Sequence, residues 1–411
     1  MWATRLAERV ATRAARVSVV GVGYVGLPIA RAFASRGFPV TGVERSAVRR
    51  ASVEDEAFTL VEDLREVEES DVVIMAVPTP VTSDRTPDMG DIDAVVAAVA
   101  AQLRPGQLLC GVSTVYPGAT QERVLPALTA TGLEPDRDFF LAFSPERANP
   151  GGGHFDLWNT PRLVGGVGPR SRALAQQILE QITETVVPVT SPRVAELAKL
   201  YENSFRLVNL GFVNEFAQLC HRMEEDVGEV LGAAHTKPYG ILPFLPGPGV
   251  GGHCIPVDPH FLDWAARAKG TSSRFIRLAA EVNGGMPRHV VERCEVWLRS
   301  DGVERARVRV VGVSYKRDVP DVRNAPALAI LADLSANGHE VDYHDPLVPE
   351  LQVGGRRLRS TPLEEAPRAD LAIIVTDHSV LDPQAILAAA ERVFDCRRML
   401  PSDDGAQVRY L

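Results

Sequence analysis

The segment RVSVVGVGYVGLPIARAFASRGFPVTGVE, residues 16–44, limits the possible folds most sharply. Val17 to Val20 form a short apolar run, Gly21, Gly23 and Gly26 follow in the spacing GxGxxG, a helix-period stretch comes next, and Pro39 to Val43 open a second apolar run. A short run that is mostly apolar on both faces suits a strand inside a parallel sheet, and glycines where it turns into a helix make a βαβ unit. SDVVIMAVPTP (70–80) and GQLLCGVSTV (106–115) read as further buried strands, with DIDAVVAAVAAQL (91–103) as the helix between them. Strands alternating with helices predict a parallel sheet covered on both faces.

The same pattern returns late in the chain. ARVRVVGVSYKRDVPDVRNAPALAILADLSANGHEVDYHD (306–345) repeats strand, turn, helix and strand, and RADLAIIVTDHS (368–379) echoes ESDVVIMAVPTP. Its turn, GVSYKRD, carries bulkier residues and a lysine in place of two glycines, so a second doubly wound domain with a different ligand geometry is expected. Between the two, helical periodicity runs unbroken from Ser191 through SPRVAELAKLYENSFRLVNLGFVNEFAQLCHRMEEDVGEVLGAA, with Ser191 as N-cap and Pro192 in the first turn. A loop rich in Gly and Pro follows, from Lys237 to Pro259, and further helices pass through Asn283 and Trp297. The expected fold class is α/β: two Rossmann-like doubly wound parallel-sheet domains, residues 1–190 and 301–411, joined by a helical middle domain, 191–300, with a long central helix. Such a helix serves as a spine between domains or subunits.

Composition closes off other classes. The chain has 411 residues, 45% hydrophobic and 24% charged, enough for two or three globular domains. A net charge of -9 argues against a nucleic-acid partner, and no apolar stretch approaches the ~20 residues of a membrane span. The N-terminal MWATRLAERVATRAAR lacks a continuous apolar run and is expected to be a short helix or a frayed tail rather than a secretory signal, with a transit peptide as the lesser alternative. Five cysteines, Cys110, Cys220, Cys254, Cys294 and Cys396, are dispersed and odd in number, which suits a reducing, cytoplasmic compartment.

Three constellations carry chemistry. The glycine turn lets backbone N–H groups face a pyrophosphate, and Glu44, at the end of the second strand, accepts hydrogen bonds from a ribose and repels a 2'-phosphate. NAD is the expected cofactor, although Arg45 beside Glu44 weakens the preference over NADP. On the middle helix, Lys199, Asn203 and Arg206 share a face, and Leu197, Leu200 and Phe205 around them are expected to desolvate it. Upstream, AFSPERANPG packs Glu146, Arg147 and Asn149 into a proline-bounded turn.

The third is GPGVGGHCIPVD, residues 247–258, where Cys254 lies among glycines and Asp258 follows four residues later. Glycines admit something large to the main chain. His253, Cys254 and His260 are poorly spaced for a tetrahedral metal site, and no metal is expected. A thiol beside a nicotinamide has a definite use. An alcohol gives up one hydride to become an aldehyde, and the aldehyde has no second hydride to give until a thiolate adds. The thiohemiacetal then yields a thioester that water cleaves.

These residues resemble the UDP-glucose/GDP-mannose dehydrogenase family of nucleotide-sugar 6-dehydrogenases. The likeness runs in order through GVGYVGLPIA, AVPTP, STVYPGAT, SPERANPG, AELAKLYENSFRLVNLGFVNE, PGPGVGGHCIPVDP and GVSYKRDVPDVRNAP, and NTPRLVGG with TKPYGILPFLPGPGVGGHC looks most like the UDP-N-acetylglucosamine 6-dehydrogenase branch. The resemblance implies Cys254 as nucleophile, Lys199 and Asn203 on the developing oxyanion, Asp258 supporting proton transfer, and Thr114 and Glu146 in water activation. It puts Gly21, Gly23, Tyr24, Val25, Gly26, Glu44, Arg45, Pro78, Thr79, Thr114 and Arg323 beside NAD. It puts Arg147, Asn149, Lys199, Asn203, Arg206, Tyr239, Gly251, Arg274 and Lys316 beside a UDP-sugar. It further implies a homodimer or higher homo-oligomer built on the middle helix, with Arg274 reaching a neighbour's ligand, and a place in polysaccharide biosynthesis.

One departure stands out. After GVERSAVRR the family carries a longer cofactor-covering loop, whereas this chain passes almost directly to EDEAFTLVEDL, so a more open cofactor site is expected. The function expected is four-electron oxidation of C6 of a UDP-hexose, UDP-N-acetylglucosamine first. The alternatives are the same chemistry on UDP-glucose, UDP-N-acetylmannosamine or GDP-mannose, a two-electron β-hydroxyacid-type dehydrogenase, or a non-catalytic nucleotide-sugar sensor.

Overall fold

A computed structural model describes residues 1–53, 55, 57–82, 84–148, 155–401 and 407–411. The chain divides into two compact units, residues 1–202 with 260–272, and 203–259 with 273–411.

The first unit holds α1 (Trp2–Ala11), β1 (Val17–Val20), α2 (Gly26–Ser35), β2 (Val40–Val43), α3 (Ala47–Ser52), β3 (Thr59–Val61), β4 (Val72–Met75), α4 (Gly90–Ala101), β5 (Leu108–Gly111), α5 (Leu125–Thr129), β6 (Phe140–Phe143), β7 (Arg162–Gly166), α6 (Pro169–Leu179) and β8 (Val186–Pro188). Its eight-stranded sheet has the order β3-β2-β1-β4-β5-β6-β7-β8. Val17, Val19, Ile74, Cys110 and Ala142 point to one face, where Ile29 and Phe33 of α2, Leu174 and Ile178 of α6, and Leu6 and Val10 of α1 complete the core. The N-terminal segment is thus a docked helix, latched by Arg9, whose Nε and Nη2 both donate to Asp71 at 3.0 and 2.8 Å.

The sheet is not parallel throughout. β7 runs antiparallel to β6, with Ala142 opposite Gly166 and Phe143 opposite Gly165, and β8 follows β7. The physical reason lies in the strand ends: β7 begins, at Arg162, at the same end of the sheet at which β6 finishes, at Phe143, and a strand that re-enters where its neighbour left must run backwards.

Helix α7 (Pro192–Arg222) begins in the first unit and ends in the second, with the Ser191 hydroxyl accepting from Val194 N at 3.4 Å as the N-cap. The second unit continues with α8 (Val227–His235). The chain then forms α9 (Asp258–Ala268), whose first two residues belong to the second unit and the rest to the first, and α10 (Arg274–Ser300) in the second unit. Next come β9 (Arg307–Val311), α11 (Pro326–Ala336), β10 (Glu340–His344), the antiparallel pair β11 (Glu350–Val353) and β12 (Arg356–Arg359), β13 (Leu371–Ile374), α12 (Pro383–Ala389), β14 (Val393–Asp395) and β15 (Val408–Tyr410). The main sheet here is fully parallel, order β10-β9-β13-β14-β15, and its core joins Val308, Val310 and Ile373 to Ile330 and Leu334 of α11 and Met286, Val290 and Trp297 of α10. The doubly wound pattern expected twice is found twice.

Candidate active site

In the first unit, the cofactor candidates collect at the carboxyl ends of adjacent strands: Gly21 to Gly26 after β1, Glu44 and Arg45 after β2, Pro78 and Thr79 after β4, and Thr114 after β5. Strand order reverses between β1 and β4, which is where an open α/β sheet leaves its crevice. Gly21 has φ +89°, and a Cβ there would lie 2.6 Å from the Ala76 carbonyl oxygen; a Cβ on Gly26 would run into the Gly21 carbonyl oxygen. Gly23 differs, with nothing within 4 Å of the place its Cβ would take. Two glycines therefore serve the protein's own packing, and the middle one leaves bare backbone at the start of α2, the positive end of that helix, which favours an anion.

The Glu44 carboxylate accepts from Val22 N at 3.2 Å and Ser46 N at 3.0 Å, so it sits against the glycine turn. Arg45 pairs with Asp91 on α4. Arg49 occupies the turn instead, donating to the Val22 carbonyl at 3.1 Å with its guanidinium 5.8 Å from the ring centre of Tyr24. These residues fit NAD: an open Gly23, a helix N-terminus and an acid at the second strand's end.

The polar loops of the same unit are tied to α7. Glu196, 1% exposed, accepts from Gly118 N at 2.5 Å, Thr120 N at 3.0 Å and the Thr120 hydroxyl at 2.6 Å, seating the STVYPGAT turn that carries Thr114. Burial pushes its carboxyl above the usual range. Arg147 pairs with Glu202 at 2.8 Å and donates to the Pro161 carbonyl. Glu146 takes Arg162 at 2.8 Å; Asn149 lies outside the described residues. Lys199 is half-buried on α7 one turn before Asn203. Of its expected apolar neighbours only Leu200 is buried, while Leu197 and Phe205 are 39% and 38% exposed, because the helical period carries them round to another side.

In the second unit, Asn203 Nδ2 donates to Asp258 Oδ2 at 2.6 Å. The Cys254 carbonyl accepts from Val257 N at 3.1 Å and Asp258 N at 2.8 Å, a turn that runs straight into α9 and leaves Cys254 at the positive end of that helix. The glycines before it have protein for neighbours. A Cβ on Gly251 would lie 2.7 Å from the Tyr315 Cβ, and Gly252, at φ +87°, would put one 2.8 Å from the Tyr315 ring. Gly252 N donates to the Arg323 carbonyl at 2.8 Å, Asn324 Nδ2 donates to the Gly252 carbonyl at 2.9 Å, and the Arg323 guanidinium meets His253 Nδ1 at 3.1 Å while gripping Asp321. The GVSYKRDVPDVRNAP turn is thus the bed on which the thiol loop lies. Buried Asn214 holds the other end, accepting from Gly247 N at 2.9 Å and donating to Asn283 at 2.8 Å.

Cys254 is the one cysteine not buried. Burial pushes the Cys110 thiol up to about 12 and raises Cys294 and Cys396 as well. Lys316 comes near Arg206, and burial together with that like charge lowers its ammonium below the usual lysine range. Tyr239 and Arg274 stand exposed.

Four residues escaped the sequence reading. Arg162 and Glu196 are single charges inside apolar runs, the signal that could have exposed them. Asp345, at the end of β10, accepts from Val313 N at 2.7 Å and Ser314 N at 3.1 Å as Glu44 does from Val22, a parallel visible in the repeated strand pattern. Arg397, after β14, donates to the Val375 carbonyl at 2.7 Å and lies against Gly247, where a Cβ would come 2.8 Å from its Nη1; nothing in DCRRML marked it.

An NAD-binding Rossmann sheet in one unit and a second doubly wound sheet beside a glycine-bedded thiol in the other define an NAD-dependent oxidoreductase built on two nucleotide folds. The chain belongs to the UDP-glucose/GDP-mannose dehydrogenase family, nucleotide-sugar dehydrogenases: it matches the NAD binding domain over residues 46–183, the central domain over 193–284 and the UDP binding domain over 309–402. It is 32% identical over 385 residues to UDP-N-acetyl-D-mannosamine dehydrogenase of Methanococcus aeolicus, covering 89% of this chain and 85% of that one. It is 34% identical over 352 residues to UDP-N-acetyl-D-glucosamine 6-dehydrogenase of Pseudomonas aeruginosa, covering 81% and 83%. The structure of UDP-D-ManNAc dehydrogenase from Pyrococcus horikoshii superposes with a TM-score of 0.86 at 28% identity, covering 96% of this chain and 98% of that one. No helix among the described residues is long and apolar enough to cross a membrane.

Proposed function

We propose that the protein oxidises C6 of a UDP-hexose, UDP-N-acetylglucosamine in the first place, to the UDP-hexuronate, with a thioester on Cys254 as the last covalent intermediate. Relatives that act on UDP-N-acetylhexosamines, together with the UDP binding domain, support this substrate class. NAD, which the glycine turn would hold, would supply the oxidant, one molecule for each of two rounds of hydride loss. The chain's own groups do the rest. In the first round the C6 hydroxyl loses its proton and the carbon its hydride, leaving an aldehyde. The Cys254 thiolate adds to that aldehyde, and the thiohemiacetal oxygen, steadied by Lys199 and Asn203, gives up its proton as C6 loses a second hydride. Water held by Thr114 and Glu146 then adds to the thioester, the C–S bond breaks, and carboxylate and thiol are released. Asp258 orients Asn203 and relays protons. Lys316, Arg206 and Arg397 supply positive charge for the diphosphate; Arg147, Asn149, Tyr239 and Gly251 line the sugar and base.

We assign residues 1–190 to NAD, 191–300 to the helical middle and catalytic loop, and 301–411 to UDP. Phe205, Phe212 and Leu219 recur at helical spacing on α7 and are exposed, as are Met223 just after it and Phe275 and Leu278 on α10, an apolar area that supports a homodimer in which Arg274 serves the neighbour's ligand.

The observation that carries the reading is Asp258, buried and bound to Asn203, one turn after the only half-exposed cysteine. Two NADH per product with UDP-N-acetylglucosamine, falling to none or a single oxidation in Cys254→Ser, is the expected result; one NADH per product, or full uronate formation by the variant, refutes it. UDP-N-acetylmannosamine, UDP-glucose and GDP-mannose run in parallel decide the sugar.

A further inference from the structure

We propose that Arg162 is the positioning residue for Glu146, aiming its carboxylate and keeping it in the ionised form that takes a proton from the hydrolytic water. The inference rests on the reading above, in which Glu146 serves thioester hydrolysis.

The sheet register brings the two together. β6 and β7 pair antiparallel with Ala142 opposite Gly166, and continuing that register outward sets Ser144 opposite Val164 and Glu146 opposite Arg162, all on the face that holds Cys110. Arg162 is 1% exposed, and its Nη1 donates to Glu146 Oε2 at 2.8 Å. Its Nε and Nη2 are buried and meet no hydrogen-bond partner among the described residues. A guanidinium cannot shed its proton, so a buried one demands a charged partner, and Glu146 is the carboxylate it has.

Glu146 is in turn well filled. Oε1 accepts from Arg147 N at 2.8 Å and Ala148 N at 2.7 Å, and Oε2 accepts from Arg162. A carboxylate offers about four acceptor positions, so the one left open lies on Oε2, beside the guanidinium. A water there gives its proton to Oε2 as its oxygen adds to the thioester carbonyl, and that proton passes on to the departing Cys254 sulfur. Burial alone would raise Glu146, but Arg162 and the N–H groups of Ala148 and Arg147 outweigh it and hold the carboxyl below its usual range. The other ionisable groups near the pair do not compete: Cys110 below Arg162 is a neutral thiol with its value pushed up to about 12, and Arg147 is spent on Glu202.

The test compares the full-length wild type with Arg162→Met and Arg162→Lys, following NADH by stopped flow and the acyl-enzyme by intact mass. Arg162→Met is expected to release two NADH per site in a burst, then accumulate thioester on Cys254 while steady-state kcat falls about 100-fold. KM for NAD stays within about twofold and the acid limb of kcat moves up by about one pH unit; Arg162→Lys restores the limb and part of the rate. Glu146→Gln accumulates the same thioester, and adding Arg162→Met to it slows nothing further. An unmoved acid limb, or loss of the burst and of NAD affinity together, overturns the role of Arg162; if Arg162→Met does not fold, Arg162→Gln, which also removes the charge, takes its place, and an unmoved limb there counts against the role. Uronate formed by Cys254→Ser would instead overturn the reading on which this stands.

Discussion

Asn203 and Asp258, 55 residues apart, share a 2.6 Å hydrogen bond, with each residue only 4% exposed. Asn203 stands on α7 and Asp258 opens α9, so the bond ties the spine helix to the turn that begins at Cys254. An amide is the one side chain of this size that can donate to a carboxylate without adding a charge to the buried pair.

Replacing Asn203 by Asp would face two buried carboxylates. Only one can stay ionised, so Asn203→Asp is expected to lose about 3 kcal/mol at pH 8 and to regain part of it near pH 5, where the pair shares a proton. Thermal melts across that range check this; a variant as stable as wild type at pH 8 would mean that the bond contributes little.

The glycine turn separates packing from binding. Gly23→Ala has room within the protein and is expected to leave Tm unchanged while raising KM for NAD at least about tenfold, since the Cβ occupies the approach to the pyrophosphate. Gly21→Ala, strained at φ +89° and pressed on Ala76, is expected to cost roughly 1–3 kcal/mol of stability before any ligand is present. Calorimetry with and without NAD separates the two, and equal effects on Tm would contradict the assignment.

Thiol labelling should find one cysteine. Cys254 is half-exposed, and Cys110, Cys220, Cys294 and Cys396 are buried, so native protein is expected to take up a single equivalent of a maleimide or disulfide reagent and the other four only in denaturant. UDP-sugar protecting the fast-reacting site places it in the ligand pocket; a fast second equivalent counts against the described burial.

Stability at acid pH is expected to track Asp345. Burial would raise its carboxyl, but hydrogen bonds from His378 and from the N–H groups of Leu347 and Val313 outweigh burial and set it at about 2. A folded value below the unfolded one means that the fold favours the ionised form: the stabilisation is complete above pH ~4 and is lost as pH falls toward 2. Asp345→Asn is therefore expected to cost about 2 kcal/mol at pH 7, with the gap from wild type closing below pH 4. A gap that persists at pH 2.5 would assign the effect to packing instead of charge.

Cofactor choice is expected to depend on Glu44. With Arg45 paired to Asp91, Glu44→Ala is expected to lower the ratio of kcat/KM for NAD over NADP by about tenfold. Steady-state kinetics with both cofactors measures it, and an unchanged ratio would shift the discrimination elsewhere.

The elements and motifs were readable because they rest on local signals. The GxGxxG spacing and apolar pattern of residues 16–44 dictate strand, turn and helix whatever the rest of the chain does, and their echo at 306–345 announces the second sheet. Cys254 was singled out by its glycine neighbours, although the reason given for them changed: Gly251 and Gly252 admit Tyr315 and the backbone of Asn324 rather than a ligand alone. The reversal of β7 was not readable, since strand direction leaves no mark in a five-residue apolar run. Arg162 and Glu196 were hidden for a related reason. Their value comes from partners 16 and 76 residues away, Glu146 and Thr120, and a lone charge among valines or alanines looks like any solvated residue until the partner is known.

Sequence by itself determined where backbone hydrogen bonds close locally: which segments are strands, where glycine must stand, and which thiol is set apart, because these follow from steric limits and side-chain periodicity within a few residues. Only the tertiary structure decided which polar groups lose their water together. Asn203 with Asp258, Glu146 with Arg162 and Glu196 with the Thr120 turn acquire their strength from shared desolvation, a property of neighbours in space that no single segment carries.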